Sequence, residues 1–357
     1  MTTRVEHAEN LSTALASLDD DGVLELLRRA TSVGIGIGGS TKAASLDGSI
    51  VFIKQLPLTK LEESNPTATL SRLKLPFVSH YGIGSPSHGV GREFAAHRLT
   101  SDWVLKGEAD FFPILLGSRI IDIPCESDLR EFEGETSARQ WGTQWPEVEQ
   151  RLCEMKAASK SMVLFLEYVP ETLGERLRSS IADGSARVFF AQAVEQIVTA
   201  TTWMKSQGFL HFDVHPGNIL VRQGKLLLTD FGLSLSSEFI LTAEERALLP
   251  AHDDFDSDTA LMHLFHWTLY ELGFVSSAAR FEVLRAASQT PNAPELDRVR
   301  EVLGDSAELL VQHAGVALYM TEMFSALLKD AAATSYSDAI SANCRRKSKS
   351  SARVPRN

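Results

Sequence analysis

Residues 208–232 read GFLHFDVHPGNILVRQGKLLLTDFG. Two short apolar runs, NILV and KLLLTD, are separated by RQG, a spacing that predicts a tight hairpin between paired strands. The hairpin would bring Asn218, just before the first run, close to Asp230, just after the second. Asp213 lies in the loop that leads in. Carboxylate, amide oxygen and carboxylate gathered in one place suit a hard cation that prefers oxygen ligands, and leave one acid to orient a hydroxyl.

Upstream, SVGIGIGGSTKAASLDGSIVFIK (32–54) predicts a glycine-rich turn, a strand, a second turn at Asp47-Gly48 and a strand ending near Lys54. A dinucleotide-binding crevice would need a strand before the glycines and a helix after them. Here a helical run, DDDGVLELLRRA, precedes and a hairpin follows. Residues 57–91, rich in Pro, Ser and Gly, read as a long loop. GREFAAHRLTSDWVL reads as a helix, FFPILLGSRIIDI as one or two strands, 126–145 as a polar surface insertion, and SMVLFLEYVP as a buried strand. Beyond Pro170 apolar residues recur at helical spacing, as in Phe190, Val194, Ile197, Val198 and Met204, and again in Leu261, Leu264, Phe265, Leu269 and Leu272. A strand-rich first part is thus followed by a helix-rich second part, and no internal repeat is visible.

The chain has 357 residues and a formal net charge of −11, which argues against a nucleic-acid binder. Its 3 cysteines have neither disulfide nor metal-ligand spacing, and no apolar run is long enough for a membrane span. A soluble protein of the reducing cytoplasm is expected. The tail around CRRKSKSSARVPRN is basic and lacks residues to pack, and reads as disordered.

HFDVHPGNIL followed by LLLTDFG resembles the catalytic loop and metal-binding triplet of the protein-kinase-like superfamily, H-R-D-L-x-x-x-N and D-F-G. The resemblance implies a bilobal α+β fold with a strand-rich N-lobe and a mainly helical C-lobe. Its boundaries would be a helical extension over 1–30, an N-lobe over 31–169, a C-lobe over 170–340 and the basic tail over 341–357. It implies ATP and Mg²⁺ as cofactors. Asp213 would orient the acceptor hydroxyl, Asn218 and Asp230 would hold the metal, and Gly34, Gly36 and Gly39 would cover the phosphates. Lys54 would pair with a helix glutamate, for which Glu93 is preferred over Glu62 and Glu63. The main chain of Glu167 and Val169 would read adenine, with Leu220 beneath the base. Asp256 or Asp258 would brace the catalytic loop.

The departures from the family pattern are informative. Phe212 stands where regulated protein kinases have arginine, implying activity without loop phosphorylation. His215 stands at the place of a lysine, and D-x-H-P-G-N is closer to the aminoglycoside-phosphotransferase branch; the histidine would either contact phosphate or acceptor, or pack the loop. Phe52 replaces a small residue above adenine, and no A-P-E follows D-F-G. The segments around 75–105 and 239–252 are similar to compact bacterial kinase-like proteins that modify ribosomally made peptides. The implied acceptor is a Ser or Thr of a peptide, ahead of elimination by a separate lyase. The alternatives are a small hydroxylated molecule and a nucleotide-binding scaffold without catalysis.

Overall fold

The computed structural model describes residues 3–82, 84–290, 292–338 and 340–344. It divides into two units of an α+β protein-kinase-like fold. The first comprises residues 1–170 together with 229–235 and 239–242; the second comprises 171–228, 236–238 and the chain from 243 on.

In the first unit, helices α1 (Arg4–Ala16) and α2 (Asp20–Arg29) precede three strands, β1 (Thr31–Gly36), β2 (Gly39–Leu46) and β3 (Ser49–Leu58). Thr3 caps α1 and Asp19 caps α2, each accepting an N–H three residues on. The β2–β3 turn places both Asp47 (φ 48°) and Gly48 (φ 79°) in the left-handed region, the twist that a two-residue hairpin requires. β3 does not end near Lys54 as expected but continues to Leu58, because Leu56 and Leu58 join the core with Val90, Met162 and Leu164. After a single turn, α3 (Lys60–Glu63), come α4 (Val90–Leu105), β4 (Leu115–Ile121), α5 (Glu135–Trp141), α6 (Trp145–Lys156) and β5 (Lys160–Glu167). The sheet order is β1-β2-β3-β5-β4, with every neighbouring pair antiparallel. β5 is buried from Ser161 to Leu166, as a strand covered on both faces must be. The 126–145 insertion is more than surface: Phe132, Ser137, Gln140 and Trp141 are buried.

The second unit is mainly helical: α7 (Leu173–Asp183), α8 (Ala186–Ser206), α9 (Ala243–Leu248), α10 (Phe255–Glu271), α11 (Ser277–Gln289), α12 (Asp297–Leu303) and α13 (Ala307–Leu327). Between α8 and α9 lie the short strand β6 (Phe209–Leu210) and the hairpin of β7 (Ile219–Arg222) with β8 (Lys225–Leu228), paired from Ile219↔Leu228 to Arg222↔Lys225. Phe190, Val194, Ile197 and Met204 are buried on α8, as are Leu261, Leu264, Phe265 and Leu269 on α10, whereas Val198 is only half-buried. Residues 341–344, assigned to the tail by composition, are helical; residues 345–357 lie outside the described residues. No helix among the described residues is long and apolar enough to cross a membrane.

A half-buried histidine, His266, ties α10 to α11 and α13. The Thr321 hydroxyl donates to the Ala317 carbonyl (2.7 Å) and therefore accepts from His266 Nε2–H (2.8 Å), while Arg280 Nε–H donates to His266 Nδ1 (3.3 Å). Burial, and then the Arg280 guanidinium, lower His266 to about 4. Because the folded value lies below the unfolded one, the contribution of this group is complete above about pH 6.5 and is lost as pH falls toward 4. His266→Phe is expected to be less stable than wild type at pH 7.5, and the gap should narrow by about 2 kcal/mol at pH 4.5. Urea unfolding of both proteins at the two pH values measures this.

Candidate active site

Lys54 sits in the middle of β3, opposite Thr41 of β2 and Leu164 of β5, so the sheet fixes its backbone on both sides. Its ammonium lies 2.5 Å from Glu93 Oε1 and 2.7 Å from Asp230 Oδ1. Glu93 occupies the first turn of α4, which begins where the long loop after α3 ends, and is buried. Asp230 is half-exposed and holds a left-handed backbone (φ 67°), a conformation uncommon for a residue with a Cβ. Burial works against a charge on Lys54, but Asp230 and then Glu93 outweigh it and raise the amine above its ordinary value. Burial pushes the Glu93 carboxyl up, against the pull of Lys54. The lysine is therefore a fixed cation between two carboxylates, one of which reaches solvent. Glu62 does not share in this cluster; it pairs with Arg151 of α6 at 3.1 Å.

The glycines frame the β1–β2 hairpin. Gly34 and Gly36 lie within β1, opposite Thr41 and Gly39, so the predicted turn narrows to Ile37 and Gly38. Gly39 admits no other residue: its φ is 140°, and a Cβ would stand 2.1 Å from the Gln55 carbonyl oxygen. A Cβ on Gly36 would meet nothing within 4 Å, while its carbonyl accepts the Asp128 N–H at 2.9 Å, so the 126–145 insertion holds this hairpin near its tip. Phe52, half-buried, faces Ala43 on the neighbouring strand.

At the end of β5 the Glu167 N–H donates to the Ile114 carbonyl (2.9 Å), and its carboxylate is gripped by Arg4 of α1 through Nε (3.0 Å to Oε1) and Nη2 (2.7 Å to Oε2). Val169 is buried two residues on. The N-terminal extension thus has a definite job, bracing the strand end, which composition did not foretell.

In the second unit, Asp256 and Asp258 separate in role. Asp256, in the first turn of α10, accepts the His211 N–H (2.7 Å) and the Phe212 N–H (2.8 Å) through its two oxygens. Burial pushes it up to about 7 against those two bonds, and the charge of Asp213 adds to the rise. Asp258 instead takes the Tyr336 hydroxyl (2.7 Å) and the Ser341 hydroxyl, which anchor the end of the described chain. Phe212 (φ 66°) packs on Phe255 and His252, with ring centroids 5.2 and 5.8 Å away, so an apolar contact fills the place of an arginine.

The loop held in this way carries Asp213 and Asn218 together. Asn218 Nδ2–H donates to Asp213 Oδ2 (3.0 Å) and to the Asp213 carbonyl (3.1 Å), which turns the amide oxygen, the atom a hard cation takes, away from the carboxylate. His215 Nδ1 accepts the Gly217 N–H (3.1 Å), so its proton resides on Nε2, 3.9 Å from Asp213 Oδ1. That distance is too long for a hydrogen bond. The ring also packs edge-on to His263 at 5.8 Å. Leu220, in β7 opposite Leu227, is half-buried and bridges to Thr172.

Thus the fold brings Lys54, Glu93 and Asp230 together in one unit, and Asp213 with Asn218 in the other. The residues that sequence reasoning missed are Arg4, His80 and His88, which act through long-range hydrogen bonds and carry no periodic or motif signal.

The family model for the protein kinase domain matches residues 149–240, a stretch that includes Asp213, Asn218 and Asp230 but neither Lys54 nor Glu93. Maternal embryonic leucine zipper kinase of Xenopus laevis is 36% identical to this chain over 89 residues, 23% of this chain and 13% of that protein. The chain therefore aligns with only a small part of that relative's length. The fold, the lysine–carboxylate cluster and these two matches together support a place in the protein-kinase-like superfamily.

Proposed function

We propose that the protein moves the γ-phosphoryl group of ATP to a hydroxyl. The observation that carries this reading is Lys54 held between Glu93 and Asp230 at 2.5 and 2.7 Å. A lysine that only filled a core would not be flanked by two acids, one of them half-exposed; a lysine that receives phosphates needs one acid to fix it and a second to meet the metal. Asp230 and Asn218 offer the hard oxygen donors that suit Mg²⁺, and when bound the ion neutralises charge on the phosphates.

The chain's own residues do the rest. Glu93 fixes the Lys54 ammonium, which holds the phosphates, and the β1–β2 hairpin covers them. Asp213 accepts the hydrogen bond of the acceptor hydroxyl and takes its proton as the O–P bond forms, while ADP leaves with the electron pair of the bond that breaks. Phe212, packed on Phe255 rather than offering a charge, fits activity that needs no phosphate on the following loop.

The acceptor we favour is a Ser or Thr of a peptide, such as a ribosomally made precursor that a separate lyase then dehydrates in the cytoplasm. D-F-G-L-S, with glycine after the aromatic residue, supports a peptide acceptor. One observation favours a small hydroxylated molecule instead: His215, with its Nε2 proton turned toward Asp213, stands where peptide kinases place a lysine. Incubation of the purified protein with Mg-ATP and either Ser/Thr peptides or aminoglycosides, read by intact mass, decides between them. A phosphate-sized gain on a peptide supports the favoured acceptor, and a gain on the aminoglycoside alone replaces it. Absence of any nucleotide binding would sink the phosphotransferase reading.

A further inference from the structure

The loop between β3 and α4 contains a buried cluster that the chemistry above does not use. The His80 and His88 rings lie stacked, 3.7 Å apart and 13° from parallel, and both residues are buried. Each binds the chain just beyond Asp230. His80 Nδ1 lies 2.7 Å from the Leu233 carbonyl, which can only accept, so Nδ1 carries the proton; the His88 main-chain N–H donates to the Gly232 carbonyl at 3.2 Å.

The cluster is itself held rigidly. Ser79 Oγ–H donates to the Pro76 carbonyl (2.7 Å) and so accepts from His88 Nε2–H (2.9 Å). Burial, followed by the charges of His80, Arg92 and Arg151, keeps His88 well below its ordinary value. Arg151 of α6 donates from Nε to the Ser87 carbonyl (3.1 Å) and from Nη1 to Glu62 (3.1 Å), whose other oxygen accepts the Val90 N–H (2.9 Å). Gly91 lets this segment lie against the preceding loop, since a Cβ there would stand 2.2 Å from the Ala68 carbonyl. The same loop takes hold a second time farther on, where Thr69 Oγ1 accepts the Ile240 N–H at 2.9 Å and Arg92 Nε–H fixes the Thr69 carbonyl at 2.8 Å.

We infer that this loop is a built-in strap that sets the position of Asp230, with His80 as a positioning residue acting through the Leu233 carbonyl; the inference rests on the phosphotransferase reading. Three features make it more than packing. The strap's donors go to main-chain carbonyls two and three residues past the carboxylate that meets Lys54. Asp230 has a left-handed backbone, which persists only when its surroundings hold it. The ring of Phe231 is seated by contacts at 4.7 Å to His97 on α4 and 6.1 Å to Phe112. Where a phosphate on the loop would have no arginine at position 212 to bind, the His80 ring and the His88 main chain do the holding.

His80→Phe keeps an aromatic ring on His88 but removes the N–H, and His80→Asn restores a donor at nearly the same place. Amide hydrogen exchange of the peptide covering 229–236, in the nucleotide-free protein, is expected to speed up in His80→Phe by about tenfold and to return most of the way in His80→Asn. The Mg²⁺ concentration for half-maximal binding of a fluorescent ATP analogue should rise several-fold in His80→Phe, while binding of the same analogue in EDTA stays unchanged. Unaltered exchange in His80→Phe, or an equal change in both variants that follows melting temperature, overturns the strap. Wild-type protein that binds no nucleotide, with or without Mg²⁺, while His80→Phe still loosens 229–236, sinks the phosphotransferase reading and leaves His80 with no active site to position.

Discussion

Asp213→Asn is expected to lower kcat by about 10³-fold while leaving Mg-ATP affinity within about twofold of wild type, because general-base positioning is worth roughly 10²–10⁴ in rate. The asparagine matches the aspartate in shape. Its oxygen can still accept from Asn218 Nδ2, and the loop stays fixed by Asp256 on the His211 and Phe212 amides. What is lost is the charge and the capacity to take a proton. Steady-state kinetics, with nucleotide binding measured by calorimetry, separates the two effects. A variant that turns over at the wild-type rate would remove Asp213 from the chemistry. One that loses nucleotide affinity as severely as turnover would make its role structural.

Lys54→Met should abolish measurable turnover and also destabilise the protein, a double effect that few surface or loop substitutions produce. Methionine fills most of the volume but leaves Glu93, buried, and Asp230 sharing a site with no cation between them. Breaking a buried pair by removing one partner costs about 3–5 kcal/mol; because Asp230 is half-exposed, about 2 kcal/mol is the appropriate expectation. Adding Glu93→Gln to Lys54→Met should return much of that stability without returning any activity, since the repulsion is relieved but the phosphate-binding charge is still missing. Urea unfolding and ATP turnover on the two variants measure this. Equal stability of wild type and Lys54→Met would mean that the ion pairs contribute nothing to the fold.

Much of the candidate site can be read along the chain because it obeys local rules. The Ile219–Leu228 hairpin follows from two apolar runs around a turn, and its ends hand on Asn218 and Asp230 by spacing alone. Glu93 is legible for a similar reason: it is the first acid of the first long helix after the strand that carries Lys54. Asp256 and Asp258 were not separable, since both lie in the first turn of α10 with similar neighbours, and only the direction of the catalytic loop distinguishes them. The reach of β3 to Leu58 was missed because Pro57 reads as a breaker, yet Pro57 pairs with Ser161 of β5.

Residue order alone was enough for the α+β division and the hairpins, because hydrophobic period, turn chemistry and motif spacing act over a few residues. Tertiary structure decided which glutamate meets Lys54, which aspartate braces the loop, and that Arg4 holds Glu167 while His80 and His88 hold the chain after Asp230. Those choices depend on hydrogen bonds and ion pairs between residues 39 to 163 positions apart. Such contacts have a strict geometry but leave no periodic trace, so only the packed chain reveals them.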